Sequence, residues 1–552
     1  MTKNISNHWL AKARNHWQAT VVALLFALVI ASPHLIFLIR SGADFSGIYP
    51  AFSDDEVYYQ ARIAEVTRGR PAIGNAYIKE HEADPFLQPP VAEWLVAGVV
   101  LVTNWPVPVV TMLGDIIFPF SGFLLLYLLF WRLTRVRCLA LVYSSVFFLL
   151  FIQTFGRPIS PQLTSLFLFV GLLLIQTIYR SALFENPDGL ATGMKNKRCA
   201  LSSRRTTPIP KNSHGILCLI PRRLVARIGH KICFYTRDVS RPHFWLGLNV
   251  GILLFISPYY WTALTVLYFL LLVGKVWIEK KYISTLKRFG WFLLAFVPSG
   301  LLYGYYLYRA SQLPGYLESA QRFGLIATYW PGSFTNILLG VLFAILVWLA
   351  RRVLSKENLV LVISLIVSIF ILNWQNVITG QSLQFSSHYL LVTILYGLLT
   401  MAVVHRSWLD LKKEDKGKTG KKIGLALIAL LLVLGYRQQG EFRGLWAKWM
   451  YRPDQATMAS LKQQSNVLYW LNKNTPADSV VYTLGSDYNF LLPVYTHNKV
   501  YYNFYATLFV MPNQETEDRF LINNIFNSKL DGKYLTANQR YFWGNLFIDS
   551  YQ

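Results

Sequence analysis

Apolar residues in this chain gather in blocks of roughly 17–23 with almost no charge, the length a helix needs to cross about 30 Å of hydrocarbon. Such blocks stand near 20–39, 109–131, 138–155, 161–179, 244–256, 261–277, 289–308, 334–350, 357–374, 388–405 and 422–437. Those at 244–256 and 261–277 flank Ser257-Pro258-Tyr259-Tyr260-Trp261 and read as two short helices meeting at a break. Beyond 438 the pattern changes. Met458, Leu461, Leu468 and Leu471 share one helical face, while Ser479–Leu484 and Lys499–Phe504 are short β-branched and aromatic runs bounded by turn residues. The pattern predicts an all-α polytopic membrane protein with about 11 transmembrane helices over 1–437, followed by a small α/β domain over 438–552. No internal repeat is visible.

Composition agrees. Of 552 residues, 54% are hydrophobic and only 15% charged, with a mean hydropathy of +0.34, whereas a soluble chain carries about a quarter charged residues. A water-soluble enzyme and a disordered chain are excluded. Four cysteines without paired spacing exclude a disulfide-built secreted domain. The net charge of +25 would suggest nucleic acid in a soluble protein, but here it is a topology signal. The alternate loops Arg132–Arg137, Arg180–Arg241, Lys275–Arg288, Arg351–Lys356 and Arg406–Lys422 are all rich in Lys and Arg, and the opposite-side loops near Gly156–Ser160, Ser257–Trp261 and Asn376–Ser387 are nearly uncharged. This asymmetry predicts a multi-pass protein of the plasma (inner) membrane, with the N-terminus cytoplasmic, the C-terminal domain extracytoplasmic, and no nucleic-acid partner.

Two segments qualify that picture. Val91–Thr103 is apolar, but a crossing there would move the basic loops to the wrong side, so it reads as an interfacial or re-entrant helix. The basic loop 180–243 has thirteen Lys and Arg against three Asp and Glu. It holds Cys199, Cys218, Cys233, His214, His230 and His243 at spacings that fit no Cys-x-x-Cys knuckle, and reads as a basic insertion against anionic lipid. The first block follows Lys3, Lys12 and Arg14, is too long for a signal-peptide core and lacks a small-residue cleavage site, so it is read as a retained helix.

The first outer loop, 40–108, is the richest in candidate chemistry. It runs Ser53-Asp54-Asp55-Glu56-Val57-Tyr58-Tyr59 and later Pro85-Phe86-Leu87-Gln88-Pro89-Pro90-Val91-Ala92-Glu93-Trp94. Ser53 and Glu56 form a capping box, and acidic residues favour a helix N-terminus. Asp55 is left with no structural duty. Cations are scarce on the outer side. Arg157 lies in Thr154-Phe155-Gly156-Arg157-Pro158, and Arg309 and Arg322 flank the loop 311–323. A guanidinium matches phosphate oxygens in a fork. The uncharged loop 376–389 offers Gln381 and Gln384 to sugar hydroxyls and ends on His388, a candidate for phosphate or a divalent metal. Asp115 is an intramembrane carboxylate and a functional candidate on that ground, while His34, beside Pro33, is expected to bond a freed backbone carbonyl.

The layout resembles the GT-C superfamily of integral-membrane glycosyltransferases. The shared features are an N-in first helix, an outer loop opening with an acidic pair on a helix and closing on Pro-Pro before a Trp. Its style is nearest the protein O-mannosyltransferase and aminoarabinose-transferase branch, on Asp55-Glu56, Tyr59, Ala61, Ala64, Gly69 and Gln88-Pro89-Pro90. That branch usually has Lys where Gln88 stands. The resemblance implies transfer of a sugar from a polyprenyl-phosphate donor to a glycan, lipid or protein acceptor on the outer face, with membrane lipids as partners. Asp55 is then the expected general base, with Asp54 and Glu56 as further catalytic candidates. Arg157, Arg322, Gln88, Gln381, Gln384 and His388 are the expected donor-binding residues, and Asp115 an additional acid. The donor's single phosphate demands no cofactor, and a divalent metal is left open. The competing classes are a transporter or flippase and a catalytically inactive envelope assembly protein. Transporters put polar residues and broken helices near the midplane, whereas here polar residues gather on the outer loops.

Overall fold

A computed structural model of the chain describes residues 16–543 apart from 184–239, 281, 323–324, 331–333, 383–387, 412–415 and 485. Cys199, Cys218, Cys233, His214 and His230 of the basic loop lie outside the described residues. His243 lies within them, buried, its Nδ1 2.7 Å from the Tyr268 hydroxyl.

The chain begins with α1 (Trp17–Ser41) and enters a long first loop containing α2 (Asp54–Thr67) and α3 (Val91–Thr103). It then runs through α4 (Val107–Thr134), α5 (Arg137–Leu150), α6 (Thr164–Leu183), α7 (Ser240–Leu254), α8 (Pro258–Glu279) and α9 (Tyr282–Ser311). After the short α10 (Tyr316–Arg322) come α11 (Phe334–Ala350), α12 (Lys356–Thr379), α13 (Tyr389–Leu409) and α14 (Lys416–Met450). A helix lies on every apolar block of the sequence. Among the described residues six of them, α1, α4, α8, α9, α12 and α13, are long and apolar enough to cross a membrane. The protein is thus a helical, polytopic membrane protein.

Helix α3, at 13 residues, is about 20 Å long, too short to span 30 Å of hydrocarbon. It leaves Trp94, Leu95, Val99, Leu101 and Val102 exposed. The break between α7 and α8 falls at Ser257, extended at φ −152°, with Pro258 opening α8, the helix position where a missing N–H costs least. Small residues set how closely helices pack where no water drives them together. A Cβ on Gly247 of α7 would lie 2.2 Å from the Phe292 carbonyl oxygen of α9. Helix α13 is the most enclosed of the six, with every residue from Leu391 to Val404 buried.

The tail contains α15 (Gln455–Asn474), β1 (Val480–Val481), α16 (Ser486–Tyr495), β2 (Lys499–Val500), α17 (Asn513–Asn523) and α18 (Gly532–Ala537). Its strands are two residues each and pair in parallel, Val480 with Lys499 and Val481 with Val500. The run expected to continue as strand to Phe504 turns instead into a 3-10 helix, because the Asn503 side chain accepts the Tyr505 N–H at 2.8 Å. The expected boundary at 437 falls inside α14, which continues to Met450. The tail shares its core with the first loop: Leu468, Leu492, Val500, Tyr505 and Phe509 cluster with Ile48, Tyr58, Ala61 and Tyr77. A pair of two-residue strands cannot bury a face alone. The Val500 N–H donates to the Tyr77 carbonyl at 3.0 Å, so the first loop and the tail close on each other.

Candidate active site

Helix α2 starts after Ser53, which is extended at φ −142°. The expected capping box does not close: the Ser53 hydroxyl makes no cap hydrogen bond, and Glu56 reaches one residue further back, where Oε2 accepts the Phe52 N–H at 2.9 Å. The other Glu56 oxygen is drawn away because it lies 2.9 Å from His34 Nε2 of α1. His34 Nδ1 in turn lies 3.2 Å from Asp115 Oδ2 of α4. All three side chains are at most 5% exposed. His34 therefore bridges two carboxylates instead of capping the carbonyl freed by Pro33. Two buried carboxylates need compensating charge beside them, and that need outweighs a single carbonyl. Asp115 Oδ1 also accepts from Gln162 Nε2 at 2.7 Å, and the same nitrogen donates to the Phe155 carbonyl at 2.9 Å. One buried polar chain thus joins α2, α1, α4 and the turn before α6.

That turn carries Arg157. A 3-10 turn over Thr154–Gly156 precedes it, and its backbone N–H donates to the Thr154 carbonyl at 3.2 Å. Two residues on, Ile159 sits at φ +65°, a left-handed conformation β-branched residues rarely adopt and one that marks stored strain. Helix α14 braces the turn from outside. Glu441 accepts the Gln153 N–H at 2.9 Å and faces the Thr154 hydroxyl at 3.4 Å.

Asp55, one position before Glu56 and about 100° around the helix, points the other way. Its carboxylate accepts a hydrogen bond from the Arg157 guanidinium, both side chains about one-third exposed. Arg157 lines a cleft of about 190 Å³ with Thr154, Ser160, Tyr259, Tyr260 and His388, backed by Phe151, Leu390 and Leu391. The His388 ring stacks flat on Tyr259, 4.7 Å between centroids and 5° between planes. Three positions singled out in the sequence, Asp55, Arg157 and His388, therefore come together.

Gln88, Arg322 and Gln381 do not join them. Gln88 accepts the Tyr58 hydroxyl at 2.8 Å and its carbonyl accepts Arg62 Nη2 at 2.9 Å, so it ties α2 to the start of α3. Beside it Arg62 and Glu93 form a buried pair at 2.6 Å. Burial opposes the Arg62 charge, but the Glu93 carboxylate outweighs it and leaves the pKa raised; burial also pushes the Tyr58 phenol up to about 12. Arg322 is 1% exposed. It donates to the carbonyls of Thr507 at 2.8 Å and Met511 at 2.6 Å, and to Ser319 Oγ at 2.7 Å. Burial pulls its pKa down to about 10, leaving it cationic at neutral pH. It clasps the tail to α10 rather than facing the cleft. Gln381 forms an exposed bridge with Ala327. The side chains of Asp54 and Gln384 lie outside those described. Among the described residues no group of three or more His, Cys, Asp or Glu could hold a metal ion. A larger cleft of about 320 Å³ lies in the tail against Phe520, Leu521, Leu535 and Phe542. Among the described residues Glu517 is its one charged lining residue.

Sequence reasoning missed Tyr259, Tyr260, Gln162 and Glu441. The first two stood at the predicted helix break, a recognisable signal. The others had none, since a Gln before one helix and a Glu late in another are ordinary surface residues until packing is known.

No protein-family model matches the chain, and no curated protein matches it. Among solved structures it is similar to the Archaeoglobus fulgidus oligosaccharyltransferase tethered with an acceptor peptide containing the NVT sequon, with a TM-score of 0.43 and 13% sequence identity. The match covers 90% of this chain and 65% of that one.

Proposed function

We propose that the protein is a GT-C-type membrane glycosyltransferase. It moves a sugar from a polyprenyl-phosphate donor to an acceptor on the extracytoplasmic face, with Asp55 as general base. The observation that supports this reading is the contact of the Asp55 carboxylate with the Arg157 guanidinium at the rim of the aromatic cleft, a pairing suited to a base beside a cation for phosphate. In the reaction the acceptor oxygen attacks the anomeric carbon and the bond from that carbon to the phosphate oxygen breaks. Its electron pair leaves with the polyprenyl phosphate, and the hydroxyl proton passes to Asp55. The leaving group is an anion and needs no general acid; what it needs is positive charge. Donor phosphate competing for Arg157 frees the Asp55 carboxylate to face the acceptor. Attack from the side opposite the phosphate inverts the anomeric centre. Tyr259 and His388 offer a flat wall to a sugar, and Phe151, Leu390 and Leu391 an apolar one to the first isoprene units.

The test is Asp55→Asn in the full-length protein, expressed in cells lacking the gene. Mass spectrometry of envelope glycans and of extracted lipids is expected to show the product lost and a polyprenyl-phosphate sugar accumulating. A general base contributes roughly a hundredfold or more in rate. Wild-type levels of product would remove the assignment of Asp55. Solute uptake by proteoliposomes without any sugar transfer would favour a transporter instead.

A further inference from the structure

The far end of helix α14 packs on the turn that leads to Arg157, and its position there is closely determined. Glu441 holds the turn that carries Arg157. One turn on, a Cβ on Gly444 would lie 1.9 Å from Gln153 Oε1, so the helix backbone touches that turn. Beyond the next turn, Trp449 Nε1 donates to Ser32 Oγ at 2.6 Å, and Arg40 Nη1 donates to the Trp449 and Tyr451 carbonyls at 2.8 and 2.7 Å. Lys448 sits between these fixed points, on the face shared by residues 441 and 444. It is half-buried, and the charges that act on it are those of Glu56, Asp115, Glu441 and Arg157. Each of those already has a direct partner: Glu56 and Asp115 have His34, Arg157 has Asp55, and Glu441 has the Gln153 N–H. The Lys448 ammonium, with three donors to offer, closes no ion pair with any of them.

Charge bookkeeping gives this ammonium a use. A sugar linked to a prenyl phosphate is a phosphodiester with one negative charge; the departing prenyl phosphate is a monoester that tends to two. The charge grows during the step, and catalysis rewards interactions that strengthen as it grows. Arg157 alone matches the donor but not the leaving group. Building on the donor reading above, we infer that Lys448 is a second phosphate-binding cation of this site, acting with Arg157 on the departing prenyl phosphate.

The experiment uses the full-length protein in lipid nanodiscs, with undecaprenyl phosphate and the uncharged undecaprenol as probes, bound amounts being read by native mass spectrometry. Lys448→Met is expected to weaken undecaprenyl phosphate roughly tenfold and leave undecaprenol unchanged, while Lys448→Arg retains the preference. A structural lysine would not separate the two lipids. If Lys448→Met binds the phosphate as the wild type does, the inference falls and the donor reading stands. If the wild type itself does not prefer the phosphate over the alcohol, the donor reading falls and takes the inference with it. If Lys448→Met loses both lipids, the residue is structural and the inference is wrong.

Discussion

Lys499→Met should loosen the first loop from the tail. The Lys499 ammonium lies 2.8 Å from Glu65 Oε2 with both side chains at most 2% exposed, and it also donates to the carbonyls of Asn75 at 3.1 Å and Ala76 at 3.3 Å. Burial pushes the lysine pKa down while Glu65 works against that shift, so the charge is held there at a desolvation cost. Removing one partner of a fully buried pair costs about 3–5 kcal/mol when the other charge is stranded. Glu65 would not be stranded, because Arg68 and Arg70 remain within 3.1 Å of it, which reduces that contribution to roughly 2 kcal/mol. Two carbonyls losing a charged donor add about 1 kcal/mol. Methionine fills similar volume, so little cavity cost is added. The total, about 3 kcal/mol, is roughly a hundredfold in an opening equilibrium. Hydrogen exchange of the full-length protein in detergent reads it directly. The Val500 amide, bonded to the Tyr77 carbonyl, should exchange roughly a hundredfold faster, with amides of α12 and α13 unchanged. Glu65→Gln should cost more, since it deprives three cations of one shared carboxylate. A change at Val500 below about threefold would refute the reasoning.

Two further outcomes are expected. His81 shares its Nδ1 with Asp84 at 2.6 Å and its Nε2 with Glu515 at 2.9 Å, with Arg519 also on Glu515. The Glu515 hydrogen bond leads in raising the His81 pKa, and His81 leads in lowering that of Glu515. The histidine's contribution to stability is complete below pH about 6.5 and is lost as pH rises through its raised value; the glutamate's is present above pH about 4.5 and is lost as pH falls through its lowered one. Limited proteolysis of the tail should therefore be slowest between about pH 4.5 and 6.5 and quicken at alkaline pH, and His81→Gln should flatten the alkaline limb; an unchanged profile would count against the clasp. Separately, Gly397→Ala should lower the melting temperature measurably at a cost of about 1–3 kcal/mol, because its Cβ would lie 1.9 Å from the ring of the fully buried Phe343; an unchanged midpoint would mean the ring moves freely.

Helix positions were legible because a long uncharged apolar run in a membrane must satisfy its backbone internally, and each apolar block of the sequence carries a helix, six of them among the described residues long and apolar enough to cross. The tail was less so. Its aromatic runs suggested strands, but only Val480–Val481 and Lys499–Val500 pair, because the partners that complete its core come from residues 48–78, hundreds of positions away. Asp55 stood out by elimination, having no local structural duty, His388 ended an uncharged polar loop, and Arg157 was one of few cations on the outer side. Arg322 passed the same filter for the wrong reason: an arginine at the end of a short helix looks free until the chain near 507–511 lays its carbonyls across it. Glu56 and His34 were both given local roles, a cap and a backbone contact, where in the structure a long-range pairing prevails.

That long-range pairing explains why two adjacent acids serve opposite ends. Glu56 faces inward to His34, which fixes the rotation of α2 about its own axis and so fixes where Asp55 points. From His34 the same chain continues through Asp115 and Gln162 to the Phe155 carbonyl, two residues before Arg157. The separation between the proposed base and the proposed phosphate cation is therefore governed by buried groups that need take no part in the chemistry. Shifting α2 against the turn would strand a buried carboxylate on one side or the other, a cost of several kcal/mol, whereas parting Asp55 from Arg157 happens where both are partly solvated, and an exposed pair is worth only about 0–1 kcal/mol. The frame is stiff and the contact it presents is weak. A site whose cation must be handed from a carboxylate to an incoming phosphate, without its geometry relaxing, requires that ordering of strengths.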